Sequence, residues 1–499
     1  MKRSKFSLSH YRMFAGDLGQ LLPCGLTEVL PGDTIQQASS VLVRFAPMLA
    51  PVMHPMHVRI HHFYVPNRLI WDDWENFITG GPDGNDSSAY PTITFSGGSG
   101  AAVGSLADYL GVPTGVDGLE VSALPFRAYA FIYNEFFRDQ DLNTELAIDT
   151  TSGADTITST TLQHVNWERD YFTVARPWEQ KGDSVTLPLG TSAPISGLGF
   201  QGTAVVPGSD YYDASGNLLG SSNSTPMNDV MLGRIENTGT IDANNLPDVY
   251  ADLTNATAAS VIDLREAFGL QRYKEARARY GSRYVEYLRY CGVKSSDARL
   301  DRPEYFGGGR QTIQFSEVLA TAASTSPAST VGELKGHGIG AMRSNRYRRF
   351  IEEHGWIVSL ISVRPKTVYQ DGLQRHWNRR TKEDFFQKEL QHIGQQEILN
   401  KEIKAGHATP EGVFGYGDRY DEYRHAWSGI AGDFKGNLNH WHVANTYSSD
   451  PSLNADFIKC VPSASQIFAS ASDDVIYFMV NNSIQARRAV SRSASASVF

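Results

Sequence analysis

Four runs limit what this chain can fold into: TIQQASSVLVRF from Thr34, MHVRIHHFYV from Met56, GWIVSLISVRP from Gly355 and DDVIYFMVNNSI from Asp473. Each is short and rich in β-branched and aromatic residues, the composition of β-strands. In the second run Val58, Ile60, His62 and Tyr64 share one face, and His57, Arg59, His61 and Phe63 share the other. In the last, Val475, Tyr477 and Met479 alternate with Ile476, Phe478 and Val480. Prolines at 31, 47, 51 and 55 punctuate the first part, and the third run ends on one. With 45 glycines, 22 prolines and 11% aromatics, the chain reads as a β-rich body with long loops. Its 499 residues suffice for two or three average domains or one elaborated β domain.

Helical signals are fewer. NRLIWDDWENFITGG predicts a short helix with Ile70, Trp74, Phe77 and Ile78 on one face, stopped at Gly80 or Gly81. SVIDLREAFGLQRYKEARARYGSRYVEYLRY predicts a longer helix that ends or kinks at Gly281, then a second short one. DARLDRPEYFGGGRQTIQFSEVL reads as loop, turn and strand. The Gly/Ser/Asn/Asp-rich stretch from about Gly190 to Ala259 has few residues able to form a core and reads as an inserted surface loop. The end of the chain, 485–499, reads as a basic, Ser/Ala-rich extended tail.

The net charge is −9, so nucleic acid can be touched only through local basic segments or a basic helper. The cysteines, Cys24, Cys291 and Cys460, are odd in number and far apart, which fits neither a disulfide framework nor a zinc ribbon. The basic start MKRSKFSLSHYRM lacks an apolar signal core, and no uncharged apolar run approaches the roughly 20 residues of a membrane helix. The expectation is a soluble protein made in a reducing cytoplasm.

No catalytic constellation emerges. His57 and His61 lie roughly 13 Å apart along their strand, too far to share a zinc ion. His440 and His442 form an H-x-H pair like that of the cupins, but Ala444, Asn445 and Thr446 stand where a glutamate is needed. GHGIGAMRS and FGGGR lack the strand–helix context and the Lys of a phosphate loop. The expectation is therefore no enzyme, no cofactor and no metal; a cupin-like metalloenzyme or a carbohydrate-binding β-sandwich is the alternative. Two basic features remain. The termini carry Lys2, Arg3 and Lys5 at one end and Arg487, Arg488 and Arg492 at the other, candidates for DNA contact. Arg277, Arg283, Tyr280 and Tyr284, in a mixed Arg/Tyr stretch, are candidates for a subunit interface, as are Trp71 and Trp74.

Several blocks carry a resemblance that runs in order along nearly the whole chain. Among them are FSLSHYRMFAGDLGQLLPCGLTEVLPGDT, PVMHPMHVRIHHFYVPNRLIWDDWENFITGGPDG, EARARYGSRYVEYLRYCGV and YGDRYDEYRHAWSGIAGDFKGNLNHWH. In these the chain resembles the major capsid proteins of the Microviridae, closest to the gokushovirus-like bacteriophages. The resemblance implies a mainly β fold, a single eight-stranded jelly roll with long loop insertions containing short helices. It implies assembly into a T=1 icosahedral capsid around a circular single-stranded DNA genome, with no catalysis. It further implies a small basic DNA-packaging protein, a minor vertex or pilot protein and an internal scaffolding protein as partners, and synthesis in the bacterial cytoplasm before incorporation into the virion. The 190–259 insertion takes the place of a threefold protrusion that meets a host cell-surface receptor, with Tyr211, Tyr212 and Asn223 as candidate attachment residues. Histidines in the second strand are expected to make assembly sensitive to mild acid.

Overall fold

A computed structural model describes residues 3–183 and 261–492, apart from 84, 281–282, 293, 295, 322–330, 464–465 and 471–473. Between 184 and 260 it describes Val185 and four strand segments. The chain divides into two compact units, Gly182–Lys274 and the remainder. In the smaller, Asp210–Tyr212 pairs with Leu218–Ser221, and Ile195–Ser196 with Tyr250–Ala251.

The larger unit is mainly β. Its principal strands are β1 (Ser4–Ser7), β2 (His10–Gly16), β3 (Leu22–Val29), β4 (Thr34–Phe45), β5 (Met56–Pro66), β6 (Glu304–Thr312), β7 (Gln314–Leu319), β8 (Leu334–Arg343), β9 (Tyr347–Phe350), β10 (Gly355–Pro365) and β11 (Ile476–Arg488). They build two antiparallel sheets. In one, β11 lies between β4 and the successive strands β1 and β2, while β8 and β9 flank the other side of β4 and β7 closes the edge. In the other, the order is β6–β5–β10–β3. All four strand runs seen in the sequence are present, and they pair across hundreds of positions, β4 with β11 and β5 with β10.

The facing sides of the sheets make the core. At one end Val41, Val43 and Phe45 of β4 meet Val58 and Ile60 of β5, with Phe478 and Val480 of β11. At the other, Ile35, Tyr64, Ile357, Ile484 and Ala486 pack together. Between these apolar clusters lies a buried polar layer contributed by both sheets: Gln37, Ser39, His62, Ser359 and Asn482, each at most 2% exposed. Ser39 Oγ donates to Asn482 Oδ1 (2.6 Å), and Asn482 Nδ2 donates to the Cys24 carbonyl of the opposite sheet (3.0 Å). His62 meets Ser359 Oγ at 2.8 Å and Ser344 Oγ at 3.2 Å. Gln37 Nε2 donates to Ser359 Oγ, and Gln37 Oε1 accepts from the Tyr347 hydroxyl. Buried polar groups are tolerated when paired in this way.

The outer face of the four-stranded sheet is covered by the chain's own loops. Here lie α1 (Trp74–Thr79), α2 (Leu106–Leu110) and α3 (Leu124–Ile132), the last continued by a π-helical turn, Tyr133–Phe137. Trp71, Leu106, Phe126, Tyr129 and Ile132 bury against Phe63, Val358 and Leu360. Arg127, wholly buried, pairs with Asp155 at 2.8 Å and donates to the carbonyls of Ile70 and Thr151, tying three loop segments together. The predicted helix near Trp71 is shorter than its sequence run. Asn67–Leu69 forms a 3-10 turn, Ile70 and Trp71 turn into the core, and α1 ends at Gly80 with φ 84°. The long Arg/Tyr helix is α4 (Val261–Tyr280), followed by α5 (Tyr284–Tyr290).

Two Gly-rich motifs prove to be strands. In GHGIGAMRS the glycines Gly336, Gly338 and Gly340 line the inner side of β8. A Cβ on Gly338 would lie 2.9 Å from both Phe45 and Phe315, so the missing side chain makes room for two rings. In FGGGR the register of β6 shifts between Tyr305 and Gly307, whose φ is 121°, as at a β-bulge.

Candidate functional surfaces

The histidines of β5 do not form a metal centre. His57 and His61 point to one side, each hydrogen-bonded there: His57 to Thr312 Oγ1 and His61 to the Tyr305 hydroxyl. His62 belongs to the internal polar layer, and His54 donates to the Lys366 carbonyl at 2.6 Å. Burial lowers all four, His61 to about 4 and His62 to about 3, so in the folded chain the His61 and His62 rings stay neutral through mild acid. The H-x-H pair is no better placed. Asn439–Trp441 is a 3-10 turn rather than a strand. His442 Nε2 donates to the Phe434 carbonyl (2.7 Å) while Nδ1 accepts from the Ala444 amide (3.2 Å), so both ring nitrogens are engaged. Among the described residues no group of three His, Cys, Asp or Glu side chains is placed to hold a metal ion.

The termini converge. β1 and the end of β11 are paired strands, with Ser4 opposite Arg488 and Lys5 opposite Arg487. This corrects the reading of residues 485–488 as tail: ladder pairing to both β1 and β4 holds them in the sheet. Their roles then separate by strand alternation. Arg487 and Lys5 point outward and are exposed. Arg488 turns back, its Nε 3.0 Å from the wholly buried Asp33 carboxylate and its Nη2 donating to the Glu28 carbonyl. Arg488 is thus a clamp on the β3–β4 turn rather than a free phosphate ligand. Arg3 donates to the Gly32 carbonyl and lies over the Phe350 ring at 5.2 Å. Arg492 is exposed, and Lys2 lies outside the described residues.

Of the candidate interface residues, Trp71 is a correction. It has no exposure, packs within the chain's own core and donates from Nε1 to Ser152 Oγ, because β5 and α3 close over it. Trp74 is half-buried, edge-on to His354. Arg283 donates to the carbonyls of Asn134 and Arg138, capping the π-helical turn. Arg277 is exposed on α4, which ends at Tyr280. On α5, Tyr284, Tyr287 and Tyr290 make an exposed ladder, with neighbouring ring centroids 6.5 Å apart. Tyr211 and Tyr212 lie in a short strand of the smaller unit, and Asn223 lies outside the described residues.

A cleft of about 480 Å³ opens beside β5 and β10. Its wall includes Arg59, Arg364 and Arg169 with Glu168 and Asp139. Arg59 and Arg310 both reach Glu168, at 3.3 and 3.4 Å, and Arg176 pairs with Asp139. The Glu168 and Asp139 carboxylates of this polar seam are thus held in ion pairs with arginines.

Sequence reasoning missed the outer face of the larger sheet. Tyr11, Met13, Tyr477 and Met479 are 66%, 71%, 46% and 45% exposed. The β11 run is apolar on both sides, so alternation alone could not tell which side faces water.

Comparison with known proteins gives a consistent result. The family model described as "Capsid protein (F protein)" matches residues 1–495. Capsid protein VP1 of Bdellovibrio phage phiMH2K is 39% identical, over 92% of this chain and 88% of that protein. Capsid protein VP1 of Chlamydia phage 1 is 32% identical, over 92% and 89%. Capsid protein VP1 of Spiroplasma virus 4 is 32% identical, over 92% and 87%.

Proposed function

Because this chain belongs to the capsid protein (F protein) family of the Microviridae, and is a structural capsid subunit, we propose that identical copies of it close into a T=1 icosahedral shell around a circular single-stranded DNA genome. The observation that carries the reading is the match of the family along residues 1–495. As a capsid protein it resides in the virion, and among the described residues no helix is long and apolar enough to cross a membrane.

The strand order supports the finer fold assignment. The eight strands β2, β3, β4, β5, β6, β8, β10 and β11 give the sheet orders β2–β11–β4–β8 and β3–β10–β5–β6. We read these orders as those of a jelly roll, with β1, β7 and β9 as additions. A jelly roll gives each subunit a stiff core while its long loops do the joining. The connection between β5 and β6 spans more than 200 residues and includes the 190–259 insertion, the segment we assign to host attachment.

The net charge of −9 supports a basic partner. Phosphate neutralisation dominates nucleic-acid affinity, so an acidic subunit enclosing DNA calls for a small basic packaging protein. The minor vertex protein and the internal scaffold complete the expected set, assembled in the bacterial cytoplasm. Electron microscopy of the protein expressed with its scaffold tests the proposal. Closed particles of sixty copies are the expected outcome of T=1 closure; a product that stays monomeric in infected cells overturns it.

A further inference from the structure

The two sheets differ in what lies outside them. Loops and helices cover the four-stranded sheet, whereas among the described residues the outer face of the larger sheet bears exposed side chains. Its register puts side chains in rows across the strands. Tyr477 and Arg44 share one row, Met13 and Met479 the next, and Tyr11 and Arg343 a third. Gln485, Gln36 and Arg348 follow, and Lys5, Arg487, Thr34 and Phe350 end the series.

No aspartate or glutamate occurs in these rows, although the chain carries 54 acidic residues against 45 basic ones. Five exposed cations, Lys5, Arg44, Arg343, Arg348 and Arg487, stand on this face. Lys5 and Arg487 are direct cross-strand neighbours, a like-charge pairing that destabilises a sheet unless an anion lies over it. Among the cations stand two exposed rings, Tyr11 and Tyr477, while Phe350 carries Arg3 over its ring.

From this we infer that the outer face of the larger sheet is a single-stranded nucleic-acid platform, its arginines and Lys5 holding phosphates while Tyr11 and Tyr477 take bases on their faces. The inference rests on the reading that the shell encloses single-stranded DNA, and names the surface that would line it. A strand of unpaired nucleotides supplies both the negative charge and the planar groups in one repeating unit. An acidic protein surface would meet the cations and leave the rings without partners. A duplex keeps its bases stacked inside, away from the rings.

The full-length chain, as soluble subunits, is titrated with fluorescent oligothymidylate across a salt series. Arg44→Ala with Arg343→Ala should weaken binding about tenfold and reduce the log–log salt slope by about 1.4, roughly 0.7 for each phosphate contact removed. Tyr11→Ala with Tyr477→Ala should also weaken it about tenfold or more while leaving the slope unchanged. Tyr11→Phe should bind like the parent, since the ring is kept. Circular dichroism and an unchanged thermal midpoint establish that each variant is folded. Parent-like binding by both double variants overturns the inference, as does preference for duplex or no binding by the parent chain. So does loss of subunit assembly with oligothymidylate binding intact, which would make the face a protein contact. Failure of the parent to form particles sinks the shell reading instead, and the binding series still decides the face.

Discussion

At the residue scale, Asn482 shows how polar groups fix the sandwich. It sits opposite Ser39 in the ladder between β11 and β4, and its amide reaches the Cys24 carbonyl across the core. Replacing it with leucine would strand the Ser39 hydroxyl and that carbonyl in an apolar interior. Each unpaired group costs about 1–3 kcal/mol, so Asn482→Leu should lower stability by about 2–5 kcal/mol in urea unfolding. A change below about 1 kcal/mol would show that the layer does not bind the sheets together. His62 makes a second prediction. Its folded-state pKa is depressed to about 3, whereas an unfolded histidine titrates near 6.5. The unfolded chain therefore binds more protons between those values. The stability this contributes is fully present above about pH 6.5 and is lost as pH falls toward 3. Thermal midpoints should decline below about pH 6.5, and His62→Gln should show a shallower decline. Identical slopes for the two proteins would place the acid response elsewhere.

At the scale of elements, small residues and capping groups decide the packing. Strand β8 approaches β4 and β7 closely because Gly338 has no side chain between Phe45 and Phe315. Gly338→Val should overpack that site and cost about 1–3 kcal/mol, read as a lowered midpoint in denaturant with unchanged slope. A neutral result would mean that the two rings can move aside. Helix α1 offers the opposite lesson. Its stop at Gly80 was legible, since a left-handed C-cap favours glycine. Its start was not, because the inward turn of Ile70 and Trp71 depends on α3 and on buried Arg127 donating to the Ile70 carbonyl. The same dependence removed Trp71 from the candidate interface. Amphipathic aromatic residues are enriched both in interfaces and in cores, and composition does not separate the two.

At the scale of the whole molecule, the chain is a β framework whose loops greatly exceed its strands in length. If the 190–259 insertion serves attachment, deleting it should leave particles intact and impair adsorption to host cells; undiminished adsorption would remove that role. Four of the strands were written in the sequence, those at Thr34–Phe45, Met56–Pro66, Gly355–Pro365 and Ile476–Arg488. Alternation and β-branched content are local properties, fixed by the two-residue repeat of an extended backbone. Turn chemistry at glycines and prolines was equally local, and the ordered blocks of the capsid family ran along nearly the whole chain. Tertiary structure alone decided which strands meet, and so which side of each faces water. Lys5 finds Arg487, and Ser39 finds Asn482, only when segments more than 400 residues apart come together. Register then sends Arg487 outward and Arg488 to buried Asp33, a division between adjacent residues of one type that no local pattern contains. Partner identity and facing depend on non-local hydrogen-bond register, and a one-residue slip would reverse every such assignment.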